Sequence, residues 1–319
     1  MVILMKQRLQ SFVILSSLTA IVIHIINRIY HSFHTAGNYL RYPKNNYYEW
    51  RFGKIRYTKK GTGSPILLIH DLKAGSSVYE FNKIINALSK DHEVYCIDLL
   101  GYGMSDKPNM TYTNYLYVQL VIDFIKNVIC KKVDIIATGD SVSITVMACH
   151  NDPEVIDKML FINPQNLYES NQIPSKQTKT FKLLLDTPII GTFTYNLLTN
   201  KSSLEKVFKE EYFYNPLNIE ERDILAYLES SHLPDYTSKY VYSSHIGKYM
   251  NANIVHALKE INHSIYIIGG DKESDIHTTI ENYKYYNSAI ESMCIPYTKH
   301  LPHLEAPDKT IKCILLFLS

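Results

Sequence analysis

The sequence predicts an α/β fold with a mostly parallel central sheet, helices on both faces, an inserted helical cap and an N-terminal transmembrane helix. Three patterns support this prediction: apolar strands alternate with helices over residues 64–164, the alternation stops over 165–260 and then resumes, and residues 9–27 carry no formal charge. Repeated β-α units with wholly apolar strands form parallel sheets that are covered on both sides. We therefore expect an anchor over 1–30, a linker over 31–50, a core over 51–164 and 261–319, and a cap over 165–260.

The first segment is long enough to cross a bilayer. The run "LQSFVILSSLTAIVIHIIN" is bracketed by Lys6 and Arg8 on one side and by Arg28 on the other, and such a length just spans the hydrocarbon core. A cleaved signal peptide or a buried or interfacial helix are the alternatives, but no clear small-x-small cleavage site follows the run. We expect a single-pass membrane anchor, and the short N-terminal tail favours an extracytoplasmic catalytic domain.

The first half of the core follows a regular β-α order. A glycine-turn hairpin comes first, and each apolar strand after it is followed by a segment with helical spacing. The expected strands, beyond the hairpin over 50–63, are 64–72, 93–98, 131–138 and 157–164, and the expected helices are 76–92, 113–129 and 141–151.

The second half begins with polar-connected helical segments and returns to the β-α order. The helical segments are 178–188, 203–213, 218–230 and 254–261, followed by strands over 263–270 and 291–296 and helices over 278–290 and 308–318. A helical block inserted into a parallel sheet forms a cap over the carboxyl ends of the strands, where open α/β sheets bind ligands.

The composition excludes several classes of function. The net charge of +2 gives no reason to expect nucleic-acid binding. The five cysteines form no C-x-x-C pair, so we expect neither a disulfide framework nor a zinc site. No cofactor or metal is expected.

Ser141 is the candidate nucleophile. It follows an apolar strand in "DIIATGDSVSITVMA", with Gly139 and Ser143 as its small neighbours. A strained strand-to-helix turn with small residues on both sides presents a serine hydroxyl for attack. The alternatives are that Ser141 is only a helix N-cap, or that Asp140 is a carboxylate nucleophile, which would place the bulky Val142 at a small position.

A histidine and an acid are available at the ends of the last two strands. His300 and His303 both follow the strand over 291–296, and His300 is closer to it. Asp271, Glu273 and Asp275 follow the strand over 263–270, and any of them could orient an imidazole. The order serine, acid, histidine is the one expected with this type of turn.

An oxyanion needs backbone N–H donors. Val142, at the start of the helix after Ser141, is expected to supply one donor. Leu72, in the loop after the first buried strand, is expected to supply the other.

These segments resemble the α/β-hydrolase superfamily over residues 50–319, in the cap-bearing branch that includes esterases, lipases, epoxide hydrolases and dehalogenases. The most specific match is "YCIDLLGYGMSDKP", which follows the loop pattern D-x-x-G-x-G-x-S-x-x-P. Its matching residues are Asp98, Gly101, Gly103, Ser105 and Pro108.

The end of the chain carries a second match. "KHLPHLEAP" is similar to the family's G-H-x-x-x-x-E-x-P, which implies that His300 is the catalytic histidine, and "GGDKES" resembles G-x-x-D, which implies that Glu273 is the acid. Three positions depart from the family: Asp71 stands where glycine follows the loop histidine, Lys299 replaces a glycine, and Ser143 replaces the last glycine of the turn. A carboxylate at Asp71 would oppose a developing oxyanion unless it points away.

The resemblance implies a serine hydrolase that cleaves an ester-like bond of a small or lipidic substrate through an acyl-enzyme. Ser141 would attack, His300 would transfer the proton, Glu273 would hold His300, and Leu72 and Val142 would form the oxyanion hole. The alternatives are another chemistry on the same fold, such as a C–C hydrolase or lactonase, or a non-catalytic membrane-tethered binding protein.

Overall fold

A computed structural model describes residues 2–40 and 45–318 of the chain. The described residues contain one eight-stranded sheet in the order β1-β2-β4-β3-β5-β6-β7-β8. The strands are β1 Asn46–Trp50, β2 Gly53–Lys60, β3 Ser64–Ile69, β4 His92–Ile97, β5 Val133–Thr138, β6 Ile156–Ile162, β7 Ile265–Gly270 and β8 Glu291–Ile295. The pairs β1–β2 and β2–β4 are antiparallel, and the strands from β4 to β8 pair in parallel. The predicted fold class is confirmed.

Helices cover both faces of this sheet. The core helices are α2 Ile85–Leu88, α3 Asn114–Phe124, α4 Val142–Asn151, α12 Ile276–Tyr286, α13 Pro302–Glu305 and α14 Pro307–Leu318. One apolar core packs α3, α4 and α12 against one face, and a second core packs α2 and α14 against the other. Successive strand residues point to opposite faces, so Ile135 enters the first core and Ile136 the second.

A helical region lies between β6 and β7. Its helices are α5 Leu167–Ser170, α6 Lys176–Asp186, α7 Ile189–Leu198, α8 Lys201–Val207, α9 Glu221–His232, α10 Ser238–Ile246 and α11 Val255–Glu260. It contacts the core at loops that follow the carboxyl ends of the strands: Ser230 Oγ donates to the carbonyl of Ser76, and Lys107 Nζ donates to the carbonyl of Ser230. We call residues 165–246, from α5 to α10, the cap, and it covers the carboxyl edge of the sheet. The predicted cap extends to residue 260, but α11 packs on α4 and α12 in the first core, where Ala257 and Leu258 are buried.

The N-terminal helix α1 extends over Val2–His34. Residues Met5–His34 have a mean hydropathy of 2.1 and are long and apolar enough to cross a membrane. The expected linker over 31–50 does not match the structure, because His31–His34 end α1 and Asn46–Trp50 form the edge strand β1. Residues 41–44 of that predicted linker lie outside the described residues.

Candidate active site

The loops after β3, β5, β7 and β8 meet at the carboxyl edge of the sheet. β3 and β5 are hydrogen-bonded neighbours, and so are β7 and β8. Asp71 therefore lies beside the turn that follows β5, and Glu273 lies beside the loop that carries His300. The topology brings together side chains that are more than 200 residues apart in sequence, such as Asp71 and His300.

Gly139 occupies the turn between β5 and α4. Its φ of +55° is a left-handed conformation that disfavours residues with a side chain. The strained strand-to-helix turn of α/β hydrolases presents its nucleophile from a position of this kind. A Cβ built on Gly139 would overlap the carboxylate of Asp71. The carboxylate of Asp71 thus fills the space into which a side chain at position 139 would project.

The carboxylate of Asp71 has three partners. Its Oδ1 accepts the backbone N–H of Leu72 at 2.7 Å and that of Asp140 at 2.8 Å, and its Oδ2 lies 2.8 Å from Nε2 of His300. Two converging backbone N–H groups are the donors of an oxyanion hole. The side chain is 1% exposed, so one oxygen of a buried carboxylate sits in a ready-made anion site and the other faces an imidazole.

His300 lies between two carboxylates. Its Nδ1 is 3.3 Å from Oε1 of Glu273, its Nε2 contacts Asp71, and the ring of Tyr212 stacks on it at 5.4 Å between centroids. Burial alone would lower the pKa of His300, but the hydrogen bonds and charges of Asp71 and Glu273 outweigh burial and raise the pKa to about 10. His300 is therefore an imidazolium at neutral pH.

Ser141 does not meet His300. Its hydroxyl is fully buried and donates to the carbonyl oxygens of Thr138, at 2.8 Å, and Ile69, at 3.3 Å. The expectation that Ser141 is presented for attack therefore disagrees with the structure. The cause is a two-residue shift of the turn: Gly139 holds the strained position, with Ala137 and Ser141 as its small neighbours.

The same shift changes one oxyanion-hole donor. The two N–H groups that meet at Oδ1 of Asp71 are those of Leu72 and of Asp140, the residue directly after Gly139. The backbone N–H of Val142 instead donates to the carbonyls of Asp140 and Gly139 inside the helical turn. The N–H group of Val142, predicted as a donor, thus lies inside the helical turn, and the N–H group that meets Asp71 is that of Asp140.

The three candidate acids have different surroundings. Glu273 alone of the three contacts His300 among the described residues. Asp271 pairs with Lys272 at 2.9 Å and with His277 at 3.4 Å. Asp275 precedes α12 in a left-handed conformation with φ +54°. Glu273 therefore differs from Asp271 and Asp275 in its contact with His300.

His303, the competing histidine, belongs to a buried cluster beneath the site. Its Nε2 lies 3.5 Å from Oε1 of Glu80, whose other oxygen accepts the backbone N–H of Asp71 at 3.3 Å. Glu80 also accepts the hydroxyls of Thr138 and Tyr227. This cluster supports the loop of Asp71 and does not face the site.

Asp140 links the site to the cap. Its Oδ2 is 2.6 Å from Nε2 of His245 on α10 and 3.6 Å from Nζ of Lys73. Burial alone would raise the pKa of Asp140, but the charges of Lys73, His245 and His300 keep it below its usual range. The ionised carboxylate therefore joins the β5–α4 turn to the cap.

Two cavities lie beside His300. One of about 540 Å³ is lined by Tyr212 and His300 among others, and one of about 240 Å³ extends to Gly139. Both share Lys73, Glu273, Ser274 and His300. A small molecule in the second cavity would lie against Gly139, Asp140 and His300, and the last two of these contact Asp71.

A cluster of side chains of the metal-ligating type lies elsewhere. His150 at the end of α4 and His256 and Glu260 on α11 place three ligand atoms within 4.8 Å of one another. They pair among themselves, with His150 Nε2 at 2.7 Å from Glu260. This exposed group contributes nothing to the site around Asp71.

The fold has the α/β hydrolase architecture, and the carboxylate of Asp71 fills the space in front of the turn at Gly139. The sequence model of the alpha/beta hydrolase family matches residues 66–312, and the chain belongs to this family. A curated relative, 2-hydroxy-6-oxo-6-(2'-aminophenyl)hexa-2,4-dienoic acid hydrolase of Metapseudomonas resinovorans, is 35% identical over 74 residues. That match covers 23% of this chain and only 26% of the relative.

Solved structures share the fold at low identity. The epoxide hydrolase CorEH has a TM-score of 0.70 and 18% identity, covering 86% of this chain and 98% of its own. A membrane phospholipase A described as a bacterial virulence factor has a TM-score of 0.67 and 17% identity, covering 98% of both chains. At such identities these likenesses show the fold alone.

Proposed function

We propose that this chain is a hydrolase whose nucleophile is the carboxylate of Asp71. His300 acts first as proton donor and then as base, and Glu273 orients His300. The observation that carries the proposal is the position of Asp71: one oxygen lies in the oxyanion hole and the other beside His300, in the space in front of Gly139. A carboxylate nucleophile needs an anion site for one oxygen and a base for the second step.

The first step forms a covalent ester. Oδ2 of Asp71 attacks a saturated carbon that carries a leaving group, such as an epoxide carbon, and the carbon–oxygen bond of the ring breaks. The alkoxide takes the proton from Nε2 of His300, which is an imidazolium at neutral pH. Because alkylation removes the charge of Asp71, the pKa of His300 falls and its neutral form becomes available as a base.

The second step releases the product. Neutral His300 takes a proton from a water molecule, and the hydroxide attacks Cγ of Asp71. The tetrahedral oxyanion stays on Oδ1, where Leu72 and Asp140 donate their N–H groups. Collapse breaks the bond between Cγ and the substrate oxygen, and the departing alkoxide takes the proton of the hydroxyl that was added to Cγ. This restores the Asp71 carboxylate and leaves His300 as the imidazolium, so that an epoxide and water give a diol.

The substrate class we propose is a small molecule with an epoxide or a carbon–halogen bond. The 240 Å³ cavity beside Gly139 has the volume of roughly eight water molecules at about 30 Å³ each. The shared fold with an epoxide hydrolase agrees with this class but does not select it. Ester cleavage by Ser141 would require its hydroxyl to leave two carbonyl partners and a fully buried position.

A non-catalytic binding protein is the second candidate. The observation that favours it is the direct contact between Asp71 and His300 at 2.8 Å, with Asp71 1% exposed. A closed ion pair of this kind would fill the oxyanion hole permanently and leave only the neighbouring cavities for a ligand.

A single turnover in water enriched in ¹⁸O tests the carboxylate nucleophile. The chain is mixed in excess with styrene oxide or 1-bromobutane, digested and examined by mass spectrometry. Because water attacks Cγ, we expect one ¹⁸O in the peptide that carries Asp71. The peptide that carries Asp271, an exposed carboxylate at the same edge of the sheet, is the internal control and should stay unlabelled.

Three outcomes of that experiment separate the candidates. Label in Asp71 supports the proposal. Label in the product with an unlabelled Asp71 peptide would mean direct attack by water and would contradict it. No turnover of either substrate class by a folded chain, together with ligand binding that needs His300, would favour the binding protein.

The pH dependence of kcat/KM distinguishes the two enzymatic mechanisms. Because His300 must be protonated in the free enzyme to supply the first proton, kcat/KM is expected to fall as pH rises through about 10. A serine mechanism needs neutral His300 and would give a rise over the same range. Steady-state rates between pH 7 and 11 show whether kcat/KM falls or rises with pH. Circular dichroism at each pH shows that the chain stays folded.

A further inference from the structure

The C-terminal part of α1 is fixed to the cap. Nδ2 of Asn27 donates to the carbonyl of Ile189 at 3.3 Å, and Nδ2 of Asn196 donates to Oδ1 of Asn27 at 3.0 Å. Asn27 is buried by these contacts. One turn further on, Nε2 of His31 lies 3.0 Å from the carbonyl of Pro234. The membrane-length helix thus rests on the cap.

The rest of α1 exposes apolar side chains. More than half of the surface of each of the following is accessible: Leu9, Phe12, Val13, Ile14, Leu15, Leu18, Ile21, Val22 and Ile25. No formal charge occurs between Arg8 and Arg28. A patch of this extent marks a membrane or interaction surface.

The cap lies beside this apolar part of α1. A groove of about 670 Å³ separates α1 from the end of α6 and the start of α7. On α1 it extends from Phe12 to Ile23, and on the cap from Leu184 to Ile190. At 1.5 Å per residue, Ile23 is about 6 Å and Phe12 about 22 Å along α1 from Asn27. If Asn27 marks the membrane surface, the groove lies at the depth of the acyl chains.

The cap segment next to this groove is suited to that depth. Residues 187–198 carry no formal charge, and Leu183, Ile190 and Leu197 are all more than half exposed. The charge that directly precedes this run is paired: Asp186 contacts Lys182 at 2.5 Å, and the side chain of Lys182 is buried. Apolar side chains that face outward beside a membrane helix are stabilised when lipid replaces water around them.

We propose that the cap segment Leu183–Leu198 enters the bilayer beside α1 and that lipid acyl chains fill the groove between them. The occupant is lipid because the groove continues the apolar surface of α1 at the same depth. The cap is then an interfacial element, and substrates that partition into the membrane meet the protein at its cap. This inference does not depend on the chemistry proposed for Asp71.

Quenching by brominated lipid tests this placement in the full chain. Ile190→Trp places a fluorophore on the proposed buried face, where Ile190 is 58% exposed. Leu217→Trp is the matched control, because Leu217 is 91% exposed in a turn whose Asn215 contacts Glu305 of the core. Each variant is reconstituted in phosphatidylcholine vesicles with and without brominated acyl chains, and the emission of the unsubstituted chain, which holds Trp50, is subtracted.

We expect the added emission of Ile190→Trp to fall at least twofold in brominated vesicles and that of Leu217→Trp to stay unchanged. Equal emission of Ile190→Trp in both vesicles would overturn the proposal, whether the chain is monomeric or a second copy covers the groove. Loss of the chain from floated vesicles would overturn it as well, because α1 would not be in the bilayer. Similar quenching at both positions would mean nonspecific adsorption and would also contradict it.

Discussion

Replacing Asp71 by glycine and Gly139 by serine in one chain is expected to create reactivity toward a fluorophosphonate. The new hydroxyl would project from the strained turn into the space that the Asp71 carboxylate now fills. His300 would lose one of its two carboxylates, and Leu72 and Asp140 would be free to hold an oxyanion. Labelling should rise from background to near stoichiometric, as measured by intact-protein mass spectrometry.

The single variants and the buried serine provide the controls. Gly139→Ser alone should be unreactive and less stable, because its side chain would overlap Asp71. Adding Ser141→Ala to the double variant should leave labelling intact. If the unsubstituted chain is labelled and Ser141→Ala abolishes that labelling, the serine mechanism predicted from the sequence is right and the role given to Asp71 is wrong.

Asp98→Ala is expected to cost about 3–5 kcal/mol of unfolding free energy, the range for removing one member of a buried ion pair. Asp98 is almost fully buried. It accepts the backbone N–H groups of Val78 at 2.7 Å and Met104 at 2.9 Å, and it contacts Nη1 of Arg56 at 3.3 Å. Its loss would leave these donors and a buried guanidinium charge without their carboxylate.

Urea unfolding followed by circular dichroism measures this loss. Asp157→Ala is the matched control, because Asp157 pairs with Lys132 while both side chains are about half exposed. Surface pairs contribute about 0–1 kcal/mol, so that variant should unfold near the midpoint of the unsubstituted chain. A similar small change for Asp98→Ala would contradict the structural role given to the loop after β4.

The loop after β4 explains why the fold could be predicted. Gly103 has a φ of +49°, and a Cβ there would overlap the carboxylate of Asp98. Ser105 Oγ donates to the carbonyl of Asp98 at 2.6 Å and accepts the backbone N–H of Arg56 at 2.8 Å. Gly103 and Ser105 fix the backbone of this loop around Asp98, so the sequence pattern of the loop reports a particular backbone geometry.

The candidate site was only partly predictable. His300 and Glu273 both follow strand ends, and the order of the strands places Nδ1 of His300 3.3 Å from Oε1 of Glu273. The register of the β5–α4 turn was ambiguous, because Gly139 and Ser141 both have small neighbours two residues away. Asp71 resolves it, but the contact between Asp71 and Gly139 spans two strands and has no local signal. The only indication of this register in the sequence was that Asp71 stands where the family pattern has glycine.

The sequence did not predict the edge strand β1, and the reason is a different one. "NYYEW" alternates partly buried and exposed residues, as a half-buried edge strand does. In the sequence its tyrosines and its position after the apolar helix suggested a linker. Pairing with β2 fixes it as a strand, and pairing partners are a tertiary property that five residues do not specify.

The contacts of Asn27 with the cap bear on where the site lies. Ile189 and Asn196 of the cap are hydrogen-bonded to Asn27 of α1. If α1 crosses a bilayer, the position of the cap is therefore fixed relative to the membrane. The Asp140–His245 pair joins this cap to the β5–α4 turn of the sheet. The distance of Asp71 and His300 from the lipid surface is then set by contacts of the cap and not by α1 alone.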